Sequence, residues 1–186
     1  MMNISVKKNS FKKGLTLIEI MVASSMFIIV MLIMSGAIVS VFSANQKSNN
    51  LRSVMDNLNL TLESMTRTIR FSKAYNCGSY TPLGSTYSDC TGGGSSDFTV
   101  TFNAAPIRYY LSSGRIKRSV GGVETFITSP EVNISSLNFI VSGSDPYDTL
   151  QPRVTIQIKG VAGGTGTRGS TFYLETTVSQ RQFDFN

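Results

Sequence analysis

The chain has 186 residues, of which 41% are hydrophobic and 15% are charged, enough for one ordinary domain plus an additional apolar segment. Its 17 basic and 11 acidic residues give a formal charge of +6, but four lysines lie within the first fourteen residues, so the excess marks one terminus and does not indicate a nucleic-acid-binding surface. Histidine is absent, and no nucleophile–base pair, paired carboxylates or cysteine–histidine set takes its place, so we predict no enzyme, no metal site and no cofactor.

The first predicted elements are a basic leader, residues 1–14, and an apolar helix, residues 15–42. The only charge in the apolar segment is Glu19, and a helix of that length spans about 42 Å, whereas a bilayer core needs about 20 residues. The lysines place the leader in the cytoplasm and the rest of the chain outside, as in a single-pass inner-membrane protein. A secretory signal peptide has a shorter apolar region. A plain signal anchor leaves Glu19 and the junction at Gly14 unexplained.

A second, amphipathic helical segment is predicted over residues 43–75. Apolar residues recur there at gaps of three and four, which marks one buried stripe. Proline does not occur before residue 82. We therefore expect one helix from about residue 15 to residue 73. The positions of the stripe are Leu51, Val54, Met55, Leu58, Leu62, Met65 and Ile69.

The remaining residues, 76–186, predict a β-rich head. Residues 76–96 have the composition of a loop. Short runs beyond it alternate apolar and polar residues, as half-buried strands do. The predicted fold is α+β, with the second half of the helix packed on an antiparallel sheet. The predicted strands are 97–102, 107–112, 115–120, 123–128, 134–142, 153–160 and 171–179.

Two cysteines, Cys77 and Cys90, lie in the loop on the side predicted to be exported. We predict a structural disulfide between them, which stabilises the fold by about 3 kcal/mol in the chain-entropy model. The alternative is two free thiols in a compartment without an oxidising pathway.

The stretch KKGLTLIEIMVASSMF, which starts at Lys12, resembles the precursor signature of type IV pilins and type II secretion pseudopilins. The resemblance implies that a prepilin peptidase cuts between Gly14 and Leu15 and methylates the new amine of Leu15. It also implies that Glu19 pairs with the Leu15 amine of a neighbouring subunit, since a carboxylate in an apolar helix needs a partner. Within one chain the two groups are about 6 Å apart along the axis.

The same resemblance implies a non-enzymatic subunit of a pilus or pseudopilus. Its partners would be other pilin subunits, the peptidase, the membrane and an inner-membrane assembly platform. The order of the later strands is similar to J-type minor pseudopilins and larger minor pilins, which implies a tip or assembly-initiating subunit. The alternative is a competence or adhesion pilin that binds DNA or a surface directly. One departure is Gly36, where many major pilins have proline; glycine can soften the helix or permit close packing.

Two charged clusters in the predicted head could bind a ligand, one calcium and the other DNA. Asp145 and Asp148 could belong to a calcium loop, but two carboxylates beside a proline supply few of the six to eight oxygen ligands required, and a solvated turn is preferred. The basic cluster of Arg115, Lys117 and Arg118 could contact DNA. The preferred interpretation is a charged, exposed face of an edge strand.

Overall fold

One long helix, α1, precedes a series of β-strands in the computed structural model, which describes residues 14–78, 87–163 and 169–181. Residues 1–13 of the predicted leader lie outside these ranges. The described elements are α1 Leu17–Arg70, β1 Lys73–Cys77, β2 Asp97–Phe102, β3 Ala105–Ser112, β4 Arg115–Val120, β5 Val123–Phe126, β6 Val132–Ser142, β7 Arg153–Ala162 and β8 Ser170–Ser179. The α+β layout is therefore confirmed.

The strands form two antiparallel sheets, where the sequence predicts one. β1 to β5 pair in chain order, and β6, β7 and β8 form a separate meander. The alternation of apolar and polar residues identifies each strand, but it does not specify which strands are hydrogen-bonded to each other. The predicted strands β2 and β4 have the same bounds as the observed ones, and β5 ends two residues earlier than predicted.

The two halves of α1 differ in burial. No residue from 14 to 50 is even half-buried, although most of the side chains before Ser43 are apolar. The apolar half has a mean hydropathy of 2.5 over its best window and is long enough to cross a membrane. The chain divides into two compact units, and the boundary between them in the sequence lies between Ala44 and Asn45. The buried stripe begins in the second unit and consists of Val54, Leu58, Thr61, Met65 and Ile69.

The core of the second unit combines the helical stripe with side chains from both sheets. Phe98 of β2 stacks on Phe139 of β6, with ring centroids 5.2 Å apart, and meets Tyr75 of β1 edge-on at 5.8 Å. These three rings join the two sheets. The other fully buried, large side chains include Leu58, Met65, Ile69, Tyr109, Ile116, Ile156 and Ile158.

The helix ends three residues earlier than predicted, and a strand replaces the end of the predicted helical segment. Ser72 donates to the carbonyl oxygen of Ile69, and Arg181 donates its backbone N–H to that of Arg70, so both terminal carbonyls have partners. β1 then pairs with β2 through an irregular register. The sequence does not predict β1 because its five residues show no clean alternation, and pairing with β2 holds them extended.

Candidate functional site

The resemblance singles out Gly14, Leu15 and Glu19. Gly14 and Leu15 lie just before α1, which begins two residues later than predicted, and Glu19 lies in its first turn. All three are exposed, and a side chain at Gly14 would meet no atom within 4 Å. Glu19 Oε2 accepts hydrogen bonds from the backbone N–H of Thr16 at 3.0 Å and from its hydroxyl at 3.1 Å. The Thr16 hydroxyl oxygen in turn accepts from the Glu19 N–H at 3.4 Å. This reciprocal pattern is a capping box.

The capping box gives Glu19 a role inside its own chain, in addition to the contact with a neighbouring chain that the resemblance implies. The T-x-x-E spacing from Thr16 to Glu19 was a usable signal, because it stands at the start of an apolar helical run. The hydrogen bonds occupy Oε2, and Oε1 has no partner among the described residues. One carboxylate oxygen of Glu19 therefore remains open to a donor from another chain.

Gly36 lies in the middle of the exposed apolar half of α1. A side chain there would meet no atom within 4 Å in this chain. The glycine is therefore not required by any close packing contact among the described residues. Its roles in softening the helix or admitting a second helix both remain predictions.

The disulfide between Cys77 and Cys90 is present, as predicted. The two Cα atoms are 5.8 Å apart, and the bond links the end of β1 to the segment that precedes β2. That segment lies along the edge of β6: Cys90 donates its N–H to Val141, and Ser95 exchanges two backbone hydrogen bonds with Phe139 at 2.9 and 2.7 Å. The disulfide therefore holds this segment against β6, where it hydrogen-bonds to an edge strand of the smaller sheet.

Removing the disulfide should lower the free energy of unfolding by about 3 kcal/mol, because its closed loop no longer restricts the unfolded chain. The variant with both Cys77→Ala and Cys90→Ala should show this loss in thermal unfolding of the full chain in detergent. Reductant should destabilise the native chain by a similar amount. The double variant serves as the control, since it should not respond to reductant. Equal stability of the native chain with and without reductant would contradict the prediction.

Asp145 and Asp148 are placed in turns. Asp145 accepts the N–H of Tyr147 at 2.9 Å, and Asp148 accepts the N–H of Leu150 at 2.8 Å, as in Asx turns. Within the described ranges, no group of three or more metal-ligating side chains is brought together. The nearby carboxylate of Asp89 accepts two backbone N–H groups, from residues 143 and 144. These carboxylates order the turn, and the calcium interpretation gains no support from their geometry.

The basic cluster on β4 is divided between the two faces of the sheet. Lys117 forms an ion pair with Glu124 at 3.0 Å, and the pKa of Glu124 lies below its ordinary value because the Tyr110 hydroxyl and Lys117 donate hydrogen bonds to it. Arg115 donates to a backbone carbonyl at 3.0 Å. Arg118 is the register partner of Tyr109, a buried residue on β3 whose pKa is raised mainly by burial.

The edge-strand interpretation of this cluster is wrong, because β4 lies between β3 and β5. The strand at this edge of the sheet is β5, which is exposed along its whole length. The sequence could not place β5 beyond β4, since both runs are short and bounded by turns. Of these charges, Lys117 forms a cross-strand ion pair and Arg115 binds a backbone carbonyl, so the three residues do not form one exposed basic surface.

Comparison with known proteins found no matching family model, no matching curated protein and no matching solved structure.

Proposed function

We propose that this chain is a non-enzymatic subunit of a type IV pilus or a type II secretion pseudopilus. The observation that carries the proposal is the constellation at the start of α1. Two lysines and Gly14 precede an apolar helix in which Glu19 is the single charge. Each of these residues alone means little, but their spacing is specific to a precursor that is first anchored in a membrane and then cut.

The exposed apolar half of α1 supports the proposal. Its apolar side chains are exposed, although burial of so many apolar groups would be strongly favourable. Lipid is the partner before assembly, and helices of neighbouring subunits are the partners afterwards. The same apolar surface therefore serves first as the membrane anchor and then in the filament core.

Glu19 supports the same proposal. A carboxylate costs roughly 2.5–3.5 kcal/mol at the centre of a membrane helix on insertion scales, and less near the interface. The capping box satisfies one of its oxygens, and the amine of Leu15 from a neighbouring subunit would satisfy the other and neutralise the charge. This contact would set the axial position of each subunit.

In this proposal a prepilin peptidase cuts after Gly14, and the head is carried outside the inner membrane. The strand-rich head after the helix supports a minor subunit that starts assembly or stands at the tip. Direct DNA binding is the alternative role. Lys117 and Arg115 already have partners within the chain, so they are less available to phosphates than the sequence suggested.

The proposal predicts the mature N-terminus. In a cell that assembles these filaments, intact-mass and N-terminal peptide mass spectrometry should find a chain that begins at Leu15 and carries one added methyl group. The control is the same chain produced in a host without a prepilin peptidase, which should keep residues 1–14. A filament-producing cell whose mature protein retains residues 1–14 would refute the proposal.

A further inference from the structure

One edge of the larger sheet, at β5, is open to an additional strand. The hydrogen bonds that join β5 to β4 continue to a bond from the Ile127 N–H to the Ile116 carbonyl oxygen at 3.0 Å. Hydrogen-bonded and non-hydrogen-bonded pairs alternate in an antiparallel ladder, so the N–H and C=O groups of Glu124 and Phe126 point away from β4. No backbone hydrogen bond joins these groups to another element within the described ranges. The edge therefore offers two donors and two acceptors to another strand.

A groove beside α1 adjoins this edge. It has a volume of about 540 Å³ and is lined by one flank of the helix and by Ile127, which directly follows β5. Leu60 in this lining is 69% exposed although it is apolar, and Val123 at the start of β5 is 71% exposed. Beyond β5 the helix closes the edge, because the Thr61 hydroxyl donates to the Ile127 carbonyl oxygen at 3.0 Å. A strand added to β5 would therefore lie beside α1, where its apolar side chains could cover Leu60 and Val123.

Two polar groups near the groove are buried without partners. Tyr109 and Arg118 are register partners on β3 and β4, and Tyr109 is only 1% exposed. The Tyr109 hydroxyl and Arg118 Nε have no hydrogen-bond partner among the described residues. Thr68 lines the groove and lies beside the same hydroxyl: burial raises the pKa of Tyr109, and Thr68 and Arg118 oppose that rise. Folded proteins contain few such groups, so this pair marks a place where a ligand could bind.

Arg118 is also a charge without a counter-ion. It is half-buried, and neither ion pair in the part of the chain that the structure describes includes it. Its register partner on β5 is Thr125, so Arg118 lies one strand away from the open edge. Opposed residues of an antiparallel pair share a face, and Tyr109 places this face toward α1. A half-buried guanidinium without a counter-ion is unfavourable, and a carboxylate is its best-matched partner.

We propose that an extended, acidic segment of another protein adds to β5 as a sixth strand of the larger sheet, with one carboxylate bound to Arg118. Side chains of the added strand face α1 at every second position. The residue opposite Thr125 is acidic and reaches Arg118. Its neighbours on the same face, opposite Val123 and Ile127, are apolar and cover Leu60. The pattern apolar–x–acidic–x–apolar is the same in both directions, so it fits a parallel or an antiparallel strand.

Other ligands of Arg118 would satisfy less of this site. A small anion such as phosphate pairs with the guanidinium but leaves the outward backbone groups of Glu124 and Phe126 without partners. The β5 strand of a second copy supplies those backbone groups but no carboxylate on the side of α1, because Glu124 lies on the opposite face from Thr125. An extended acidic segment satisfies the backbone edge, the apolar groups and the charge together.

Binding of a synthetic peptide to the full chain in detergent tests the acidic position. In the probe, valine, glutamate and valine alternate with threonine, and the control peptide has glutamine in place of glutamate. Fluorescence anisotropy of the labelled peptides should show at least about tenfold higher affinity for the glutamate peptide, because only glutamate pairs with the charge of Arg118. Arg118→Met should bind both peptides equally, and its thermal unfolding in detergent checks that it is folded.

Replacement of Glu124 by proline tests whether the peptide binds as a strand. The Glu124 N–H points away from β4, so proline removes an outward donor and no hydrogen bond of the ladder. The matched control is Glu124→Ala, which also loses the ion pair with Lys117 but keeps the N–H. We expect Glu124→Pro to weaken binding of the glutamate peptide by at least about tenfold and Glu124→Ala to change it by less than about twofold.

The peptide experiments can overturn the inference in three ways. The glutamate peptide could fail to bind the native chain up to about 1 mM, the two peptides could bind it equally, or Glu124→Pro could leave the affinity unchanged. Loss of binding in Arg118→Met with full binding in Glu124→Pro would indicate a site for an anion alone and would refute the added strand. The proposed function is tested separately, because none of these results changes the expected mature N-terminus.

Discussion

Replacement of Glu19 by alanine is expected to leave cleavage after Gly14 intact and to reduce incorporation into the filament by at least about tenfold. In the proposed filament, Glu19 supplies the charge that pairs with the Leu15 amine of a neighbour inside an apolar helical bundle, and the substitution removes it. A buried ion pair that loses one partner leaves the other charge uncompensated, which costs about 3–5 kcal/mol. The amounts of protein in the sheared filament fraction and in the membrane, measured by immunoblotting, test this expectation.

The capping box makes alanine an incomplete test, because it also removes the hydrogen bonds to Thr16. Glu19→Gln separates the two roles, since glutamine can still close a capping box but carries no charge. Thr16→Ala is the reverse control, because it removes the hydroxyl and keeps the carboxylate. We expect Glu19→Gln to assemble poorly and Thr16→Ala to assemble nearly normally. Normal assembly of Glu19→Gln would show that the charge is not needed.

Replacement of Phe139 by alanine is expected to destabilise the head by about 3–5 kcal/mol, the usual cost of removing a buried phenylalanine. Its side chain is fully buried, and it stacks on Phe98 at the place where the two sheets meet. Since the whole stability of a domain is about 5–15 kcal/mol, the loss approaches what the head can tolerate. Thermal unfolding of the full chain in detergent, followed by tyrosine fluorescence because the chain has no tryptophan, measures the change.

The matched control for Phe139 is Phe126, on the edge strand β5. Its ring is 38% exposed and contacts the cationic groups of Arg115 and Lys117 at 4.1 and 4.9 Å. Phe126→Ala loses mainly those surface contacts, worth about 0.5–1 kcal/mol at exposed sites. A larger effect for Phe126→Ala than for Phe139→Ala would contradict the placement of the core between the sheets.

The interpretation of the N-terminal site depended on residues that are close together in sequence. Gly14, Leu15 and Glu19 fall within six positions, so their spacing along the chain could be interpreted without any long-range contact. The capping box between Thr16 and Glu19 was also accessible by the same reasoning, since its hydrogen bonds close within one helical turn. The assembly partner of Glu19 belongs to another chain, so it stays a proposal.

The sequence by itself determined the elements whose signal is local. A continuous apolar run determined the first half of α1, a spacing of three and four determined the buried stripe, and alternation determined the later strands, because each pattern repeats within a few residues. The disulfide was also predictable, since two nearby cysteines in one predicted loop have few alternative partners.

Only the tertiary structure decided how these elements combine. It divided the strands into two sheets, placed β4 inside the larger one, and converted the residues after Arg70 into β1. Each of these outcomes depends on hydrogen bonds and ring contacts between residues far apart in the chain, such as Phe98 with Phe139. Local periodicity holds no information about such partners, because it describes which face of an element is buried but not what covers that face.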